Sequence, residues 1–178
     1  MKMQYLSKKD VKAVIDELRK RICIDRVFID FLEELEDDVK RVSGERFEIL
    51  AFGAIPALFK TNRVELYIPT LYAVNVFYNT KKILVTPTVT VDEGAVNHLK
   101  NGADVMIPGI KKLSKPFSKG DIVSVFEPGE KYLITIGIAL ADSVTITPGA
   151  RGKAIKNLHH IDDDIWRASM QIAKALQK

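Results

Sequence analysis

Apolar residues near the start of the chain recur at helical spacing. Val11, Val14, Ile15, Leu18 and Ile22 fall three and four apart. Ser7 stands before them as a capping hydroxyl, with Asp10 three residues on. The segment from Arg26 to Val42 reads as a second helix, with Phe28, Phe31, Leu32 and Leu35 inward, Glu33, Glu34, Glu36, Asp37 and Asp38 outward, and Gly44 ending it. From Glu45 to Ile68 the period changes to that of strands, RFEILAF and then ALFKTNRVELYI, with Thr61-Asn62 at a hairpin tip. Pro69 stands where helices begin, and LYAVNVF follows as a short structural helix.

The pattern breaks near Thr80 to Lys82, which sets a domain boundary. Beyond it, ILVTPTVTV (Ile83 to Val91) reads as a strand. Asp92 caps a helix running to Lys100, and Asn101-Gly102 closes it, because glycine tolerates the left-handed conformation at a helix end. Strands are expected at Asp121 to Phe126, Tyr132 to Leu140, Val144 to Thr147 and Ala154 to Ile161, with turns at PGE (128–130) and TPGARG (147–152). Short strands so closely spaced describe a small barrel. Asp162 to Asp164 cap a last helix whose apolar residues are Ile165, Met170, Ile172, Ala173 and Leu176. The expected class is α+β, in three parts: 1–82, 83–166 and a helical extension over 167–178.

Composition adds little until charge is placed. The 178 residues are 47% hydrophobic and 28% charged, those of a soluble globular chain long enough to bury a real core. Apolar runs such as ILAFGAIPALF are broken by Gly and Pro, and none nears the roughly 20 residues that span a bilayer. MKMQYLSKKD has no apolar segment of a secretory leader. A single cysteine, Cys23, excludes an internal disulfide. No membrane partner and a cytoplasmic location are the expectation.

The net charge is +4: residues 1–85 hold 15 basic and 13 acidic side chains and residues 86–178 hold 12 and 10, so each half is +2. Within the second half, Lys100, Lys111, Lys112, Lys115 and Lys119 occur with only Asp104 among them. Arg151, Lys153 and Lys156 lie in a stretch, Ser143 to Ile161, with no acid. Two basic segments in a near-neutral chain suit a defined polyanion site. A solvated lysine-rich surface accounts for the same composition.

Catalytic and metal chemistry find little support. His98, His159 and His160 are badly placed for a metal, the last two pointing to opposite faces of one strand. Cys23, between Ile22 and Ile24, reads as a small core residue, and the chain has neither a G-x-S-x-G nor a Walker motif. No catalytic centre, metal or cofactor is expected. What remains is a glycine-lined edge. Gly102 and Gly109 allow close backbone approach, Ala95, Ala103 and Met106 to Gly109 form a shallow apolar shelf, and Lys100, Lys111, Lys112, Arg151 and Lys153 ring it. Small residues let a base and ribose press on main chain while cations meet phosphates. The same glycines also serve turns and packing.

VDEGAVNHLKNGADVMIPGI, KGDIVSVF, YLITIGIAL and RGKAIKNLHHIDDDIW together resemble the PUA domain, named for pseudouridine synthases and archaeosine transglycosylases, over Leu84 to Trp166. YIPTLYAVNVF, leading into VDEGAV, resembles the N-terminal pre-PUA domain of the malignant T-cell amplified sequence proteins and the ligatin-type translation factor. The resemblance implies an α/β pre-PUA domain followed by a PUA pseudo-barrel that binds structured RNA, often tRNA or its 3′ end. It implies a site at Lys100, Asn101, Gly102, Ala103, Asp104 and Met106 through Gly109 (with Pro108), faced by Arg151, Gly152 and Lys153. Three readings follow: a translation factor touching tRNA, ribosomal RNA and the small ribosomal subunit; a detached RNA-binding subunit of a tRNA-modifying enzyme; or a protein-interaction module working through its first half. The helix RASMQIAKALQK extends past the resemblance as a docking helix or a packed tail.

Overall fold

A computed structural model describes residues 2–178. The chain opens with β1 (Lys2–Tyr5), α1 (Lys8–Arg19) and α2 (Arg26–Glu34), followed by β2 (Val39–Ser43), β3 (Phe47–Phe52), β4 (Ile55–Thr61) and β5 (Val64–Pro69). The five strands form one antiparallel sheet in chain order. Ser7 caps α1 through Asp10 N–H, and the β4–β5 tip lies just past Thr61, both as the pattern predicts.

The second helix is shorter than expected. It ends at Glu34, and Val39–Ser43 is a strand pairing with β1 and β3. The acidic run Glu36 to Asp38 explains the stop: carboxylates at a helix C-terminus oppose its dipole. The chain turns there through Asp38 N–H to Leu35 O, and Gly53 N–H then bonds Asp38 O. Pro69 closes β5 rather than opening a helix; Thr70, whose hydroxyl accepts from Ala73 N–H, caps α3 (Leu71–Lys81) two residues later.

Then come β6 (Thr88–Val91), α4 (Glu93–Lys100), β7 (Val105–Met106), β8 (Ile110–Leu113), β9 (Ile122–Phe126), β10 (Leu133–Ala139), β11 (Lys153–His160) and α5 (Asp164–Leu176). The second sheet runs β7-β11-β10-β9-β6-β8, antiparallel except for the parallel pair β6 and β9. Its strand β6 starts only at Thr88, since Pro87 supplies no N–H to a ladder; Val85 O instead accepts from Asp25 N–H. The strand expected at Val144 to Thr147 is a 3-10 turn, Ser143–Thr145. Ser143 is spent there, its hydroxyl accepting from Phe117 N–H, and Val144 is 79% exposed, while Ile146 packs partly buried on the barrel cluster. Strands β7 and β8 are additions, the second carrying Lys111 and Lys112 between its two half-buried ends.

One large apolar cluster joins α1, α2, α3 and the first sheet to Ile122, Phe126, Leu133 and Ile136 of the second, and to Ile165, Ala168 and Ile172 of α5. A smaller cluster fills the barrel beneath α4, around Leu99, Val105, Val123, Val125 and Ile155. The terminal helix is thus a packed tail, Ile165, Ala168 and Ile172 being buried against the first-sheet core and Leu176 partly so, while Met170, expected among its apolar residues, is exposed. Asn75 of α3 ties the halves by two bonds to one residue, donating to Leu133 O and accepting from Leu133 N–H. Cys23 lies past α1, buried as expected, and burial pushes its thiol up.

Candidate functional site

Helix α4 is short because both its ends are specified locally. The Asp92 carboxylate accepts from Ala95 N–H at 2.9 Å, and Asp92 N–H donates to Gly109 O. At the other end Gly102 takes φ +90°, and Gly102 and Ala103 N–H bond back to Leu99 and His98 carbonyls.

The corner after α4 is fastened to β11. Asn157, buried mid-strand, donates from its side-chain nitrogen to Leu99 O at 3.1 Å and Ala103 O at 2.9 Å. Its own N–H donates to Asp104, whose second oxygen lies 3.0 Å from the Lys153 ammonium. Burial pushes the Asp104 carboxyl up, but the Asn157 N–H and Lys153 outweigh it and hold the group below its ordinary value. Asp104 is therefore chiefly an anchor for the corner.

Two clefts flank Met106, whose side chain is 47% exposed. The first, about 810 Å³, lies between α4 and β11, lined by Ala95, His98, Gly102, Ala103, Met106 and Lys153 among others, over the buried Leu99 and Val105. The second, about 820 Å³, lies between β8 and the 146–152 loop, with Pro108, Lys111, Lys112, Arg151 and Gly152 in its wall. No acid lines it. At its rim Gly152 has φ +111°, and its carbonyl accepts from Ile107 N–H at 2.8 Å.

The sequence-predicted residues thus divide. Gly102, Ala103, Asp104, Gly109 and Lys153 share the first cleft and Pro108, Lys111, Lys112, Arg151 and Gly152 the second, with Met106 in both. Asn101 lines a third cleft beside Gly102, and Lys100 is exposed but lines none of the three. Lys112 is drawn toward Glu130, 3.2 Å away. Sequence reasoning passed over Gly94 and His98, one helical turn apart on the α4 face that lines the first cleft, although that i, i+4 spacing was the available signal. It also passed over the apolar edge Ile146 to Pro148.

Among the described residues no group of three or more His, Cys, Asp or Glu is placed to hold a metal ion, and no helix is long and apolar enough to cross a membrane. The arrangement offers flat apolar floor, exposed backbone and a cationic rim, which can hold a nucleobase and ribose with phosphates at the edge.

Residues 87–161, which hold the capped helix and the short-stranded barrel, match the PUA domain, and the chain belongs to the PUA-domain proteins. Along nearly its whole length it is similar to an uncharacterized protein of Methanocaldococcus jannaschii, 36% identical over 168 residues that cover 93% of this chain and 95% of the relative. It is 24% identical to malignant T-cell-amplified sequence 1-B of Xenopus laevis, covering 88% of this chain and 85% of that one. Translation machinery-associated protein 20 of Saccharomyces cerevisiae matches at 29% over 48% of this chain and 50% of its own. The crystal structure of a hypothetical protein from Pyrococcus horikoshii superposes with a TM-score of 0.78 at 32% identity, covering 94% of this chain and 99% of that one.

Proposed function

We propose that this chain is a translation-associated RNA-binding protein that holds a single-stranded RNA end, that of tRNA or a segment of ribosomal RNA, in the clefts around Met106. The observation that carries the reading is the pairing of an apolar, glycine-edged floor with a rim containing Lys111 and Arg151, neither of which has an ion-pair partner among the described residues. The PUA match and the likeness to a translation machinery-associated protein support it. The mechanism is positional: cations fix the backbone, the floor accepts bases, and no bond is made or broken. Small-subunit engagement, with the first half of the chain contacting ribosomal RNA or a partner protein, belongs to the same reading.

The test is binding of tRNA, intact and trimmed of its 3′ CCA, across a salt series. Each phosphate held on single-stranded RNA adds roughly −0.7 to the log-log salt slope. The expected result is salt-dependent binding lost on trimming and weakened in Lys111→Ala/Arg151→Ala, with melting unchanged because exposed substitutions cost under about 0.5 kcal/mol. Equal affinity of the double variant for every RNA tried, ribosomal RNA included, removes this face as the site.

A further inference from the structure

The third cleft, about 420 Å³, lies where the first sheet meets the barrel, and Gly102 lines both it and the first cleft. The two spaces therefore adjoin one another at a residue without a side chain. We infer that the junction cleft continues the nucleic-acid path, with Arg46 and Arg63 holding the backbone of the RNA whose end lies in the barrel groove. The inference rests on the RNA-binding reading above.

Strand register brings the two arginines together. Phe47 pairs with Thr61 across β3 and β4, and Asn62 N–H reaches Arg46 O at 3.4 Å, so the hairpin tip carrying Arg63 sits beside Arg46. Both side chains are exposed, and neither has a hydrogen bond or ion pair among the described residues, unlike Lys8, Arg19, Lys40 and Lys60 of the same half. Planar guanidiniums free of carboxylates suit phosphate oxygens. Across the cleft Asn101 offers an amide, and His160 lies near enough that a Cβ on Gly102 would come within 3.7 Å of its Nε2. His160 Nδ1 is 2.8 Å from the Ile161 carbonyl, which can only accept. The proton is thus on Nδ1, and in the neutral ring Nε2 is an acceptor suited to a ribose 2′-hydroxyl.

The two acids that line the far wall form no ion pair with the arginines. Asp163 is occupied by His159 and two backbone N–H groups, and Asp164 is paired with Arg167 at 3.3 Å.

The test compares two RNAs, a four-nucleotide single strand ending in CCA and the same end carried on a short stem. They are titrated against the wild type, Arg46→Ala/Arg63→Ala and Lys111→Ala/Arg151→Ala across a salt series. The expected result is that loss of the two arginines leaves the short strand's affinity unchanged and weakens the stem-bearing RNA, its log-log salt slope falling by roughly two, one per phosphate contact. A deoxyribose stem is expected to bind more weakly than the ribose stem. Stem binding that needs Lys111 and Arg151 but is indifferent to the arginines overturns this inference and leaves the groove standing. A wild type that binds neither RNA overturns this inference together with the tRNA-end form of the reading beneath it.

Discussion

Asp163 is the carboxylate through which the groove strand β11 is joined to the returning helix α5, and its replacement by alanine gives a calculable loss. Its oxygens accept from Trp166 N–H at 2.7 Å, from His160 N–H at 2.9 Å and from His159 Nδ1 at 2.8 Å. The first of these is an N-cap, worth about 1 kcal/mol when removed. The third is costlier. His159 is fully buried, its ring edge-on to Phe59 with centroids 5.0 Å apart, and its Nε2 has no partner among the described residues. Orphaning the remaining ring N–H adds about 2 kcal/mol. The expected loss in urea unfolding is therefore about 3 kcal/mol, and a chain of this size should melt about 9 °C lower. Asp163→Asn, which keeps a good cap, should lose roughly 1 kcal/mol.

The deficit should also depend on pH in one direction. Burial pushes the Asp163 carboxyl up, but the bonds from His159, Trp166 and His160 outweigh it and hold the group below its ordinary value. A carboxylate lowered by folding contributes its stability above the unfolded-state value, about 4, and loses it as pH falls from there through the folded one. The difference between wild type and Asp163→Ala should shrink across that acid window. A deficit under about 1 kcal/mol at neutral pH, or one unchanged in acid, would refute the assignment of Asp163 as the joint.

Gly137→Ala is expected to be the most damaging small change in the barrel. An added Cβ would lie 1.8 Å from the Lys156 carbonyl oxygen, a backbone atom of the paired strand, so β10 and β11 must separate. A loss of about 3 kcal/mol or more is expected in chemical unfolding, and near-wild-type stability would mean that the pairing of β10 with β11, whose register shifts between Ile136 and Gly137, relaxes. Gly102→Val should cost about 1–2 kcal/mol because a β-branched residue resists positive φ. It should also weaken RNA binding by placing a side chain between the first and third clefts, against His160; a variant with normal melting and normal affinity contradicts both statements.

The parts of this fold that were legible are those whose causes are local. Helix α4 is bounded by Asp92 and by Asn101-Gly102, and each signal acts within four residues of its own position. Strands β9, β10 and β11 carry enough β-branched and apolar residues to be read without knowing their partners. Strand β2 was hidden because Val39 and Val42, three apart, continue the helical period of α2; only the acids at 36 to 38 argue against a helix there. Strand β8 was hidden because its two lysines interrupt the apolar pattern. For the site, the glycines and cations were legible by type, while their supports were not. Asn157 looks like any polar strand residue, yet it holds carbonyls some fifty residues away. Arg46 and Arg63 join the junction cleft only through the β3–β4 register, which no local pattern specifies.

Two of the predicted groove lysines, Lys112 and Lys153, are already paired with acids, and this does not remove them from RNA binding. Both lysine side chains are about two-thirds exposed, at 65% and 60%. Pairs so open to water contribute under about 1 kcal/mol, so a phosphate competes for the lysine at small cost. The acids left behind keep another donor: Asp104 retains the Asn157 N–H, and Glu130 retains the Thr90 hydroxyl at 2.8 Å. Neither carboxylate is stranded when its lysine swings to a phosphate, so the corner after α4 and the β6–β8 pairing hold their shape. In the free protein the pairs keep the two ammonium groups at the cleft margins and cancel part of the local charge, in a chain whose halves are each only +2. Binding then exchanges a weak internal pair for a phosphate contact, and the salt dependence arises mainly from the counterions the RNA releases.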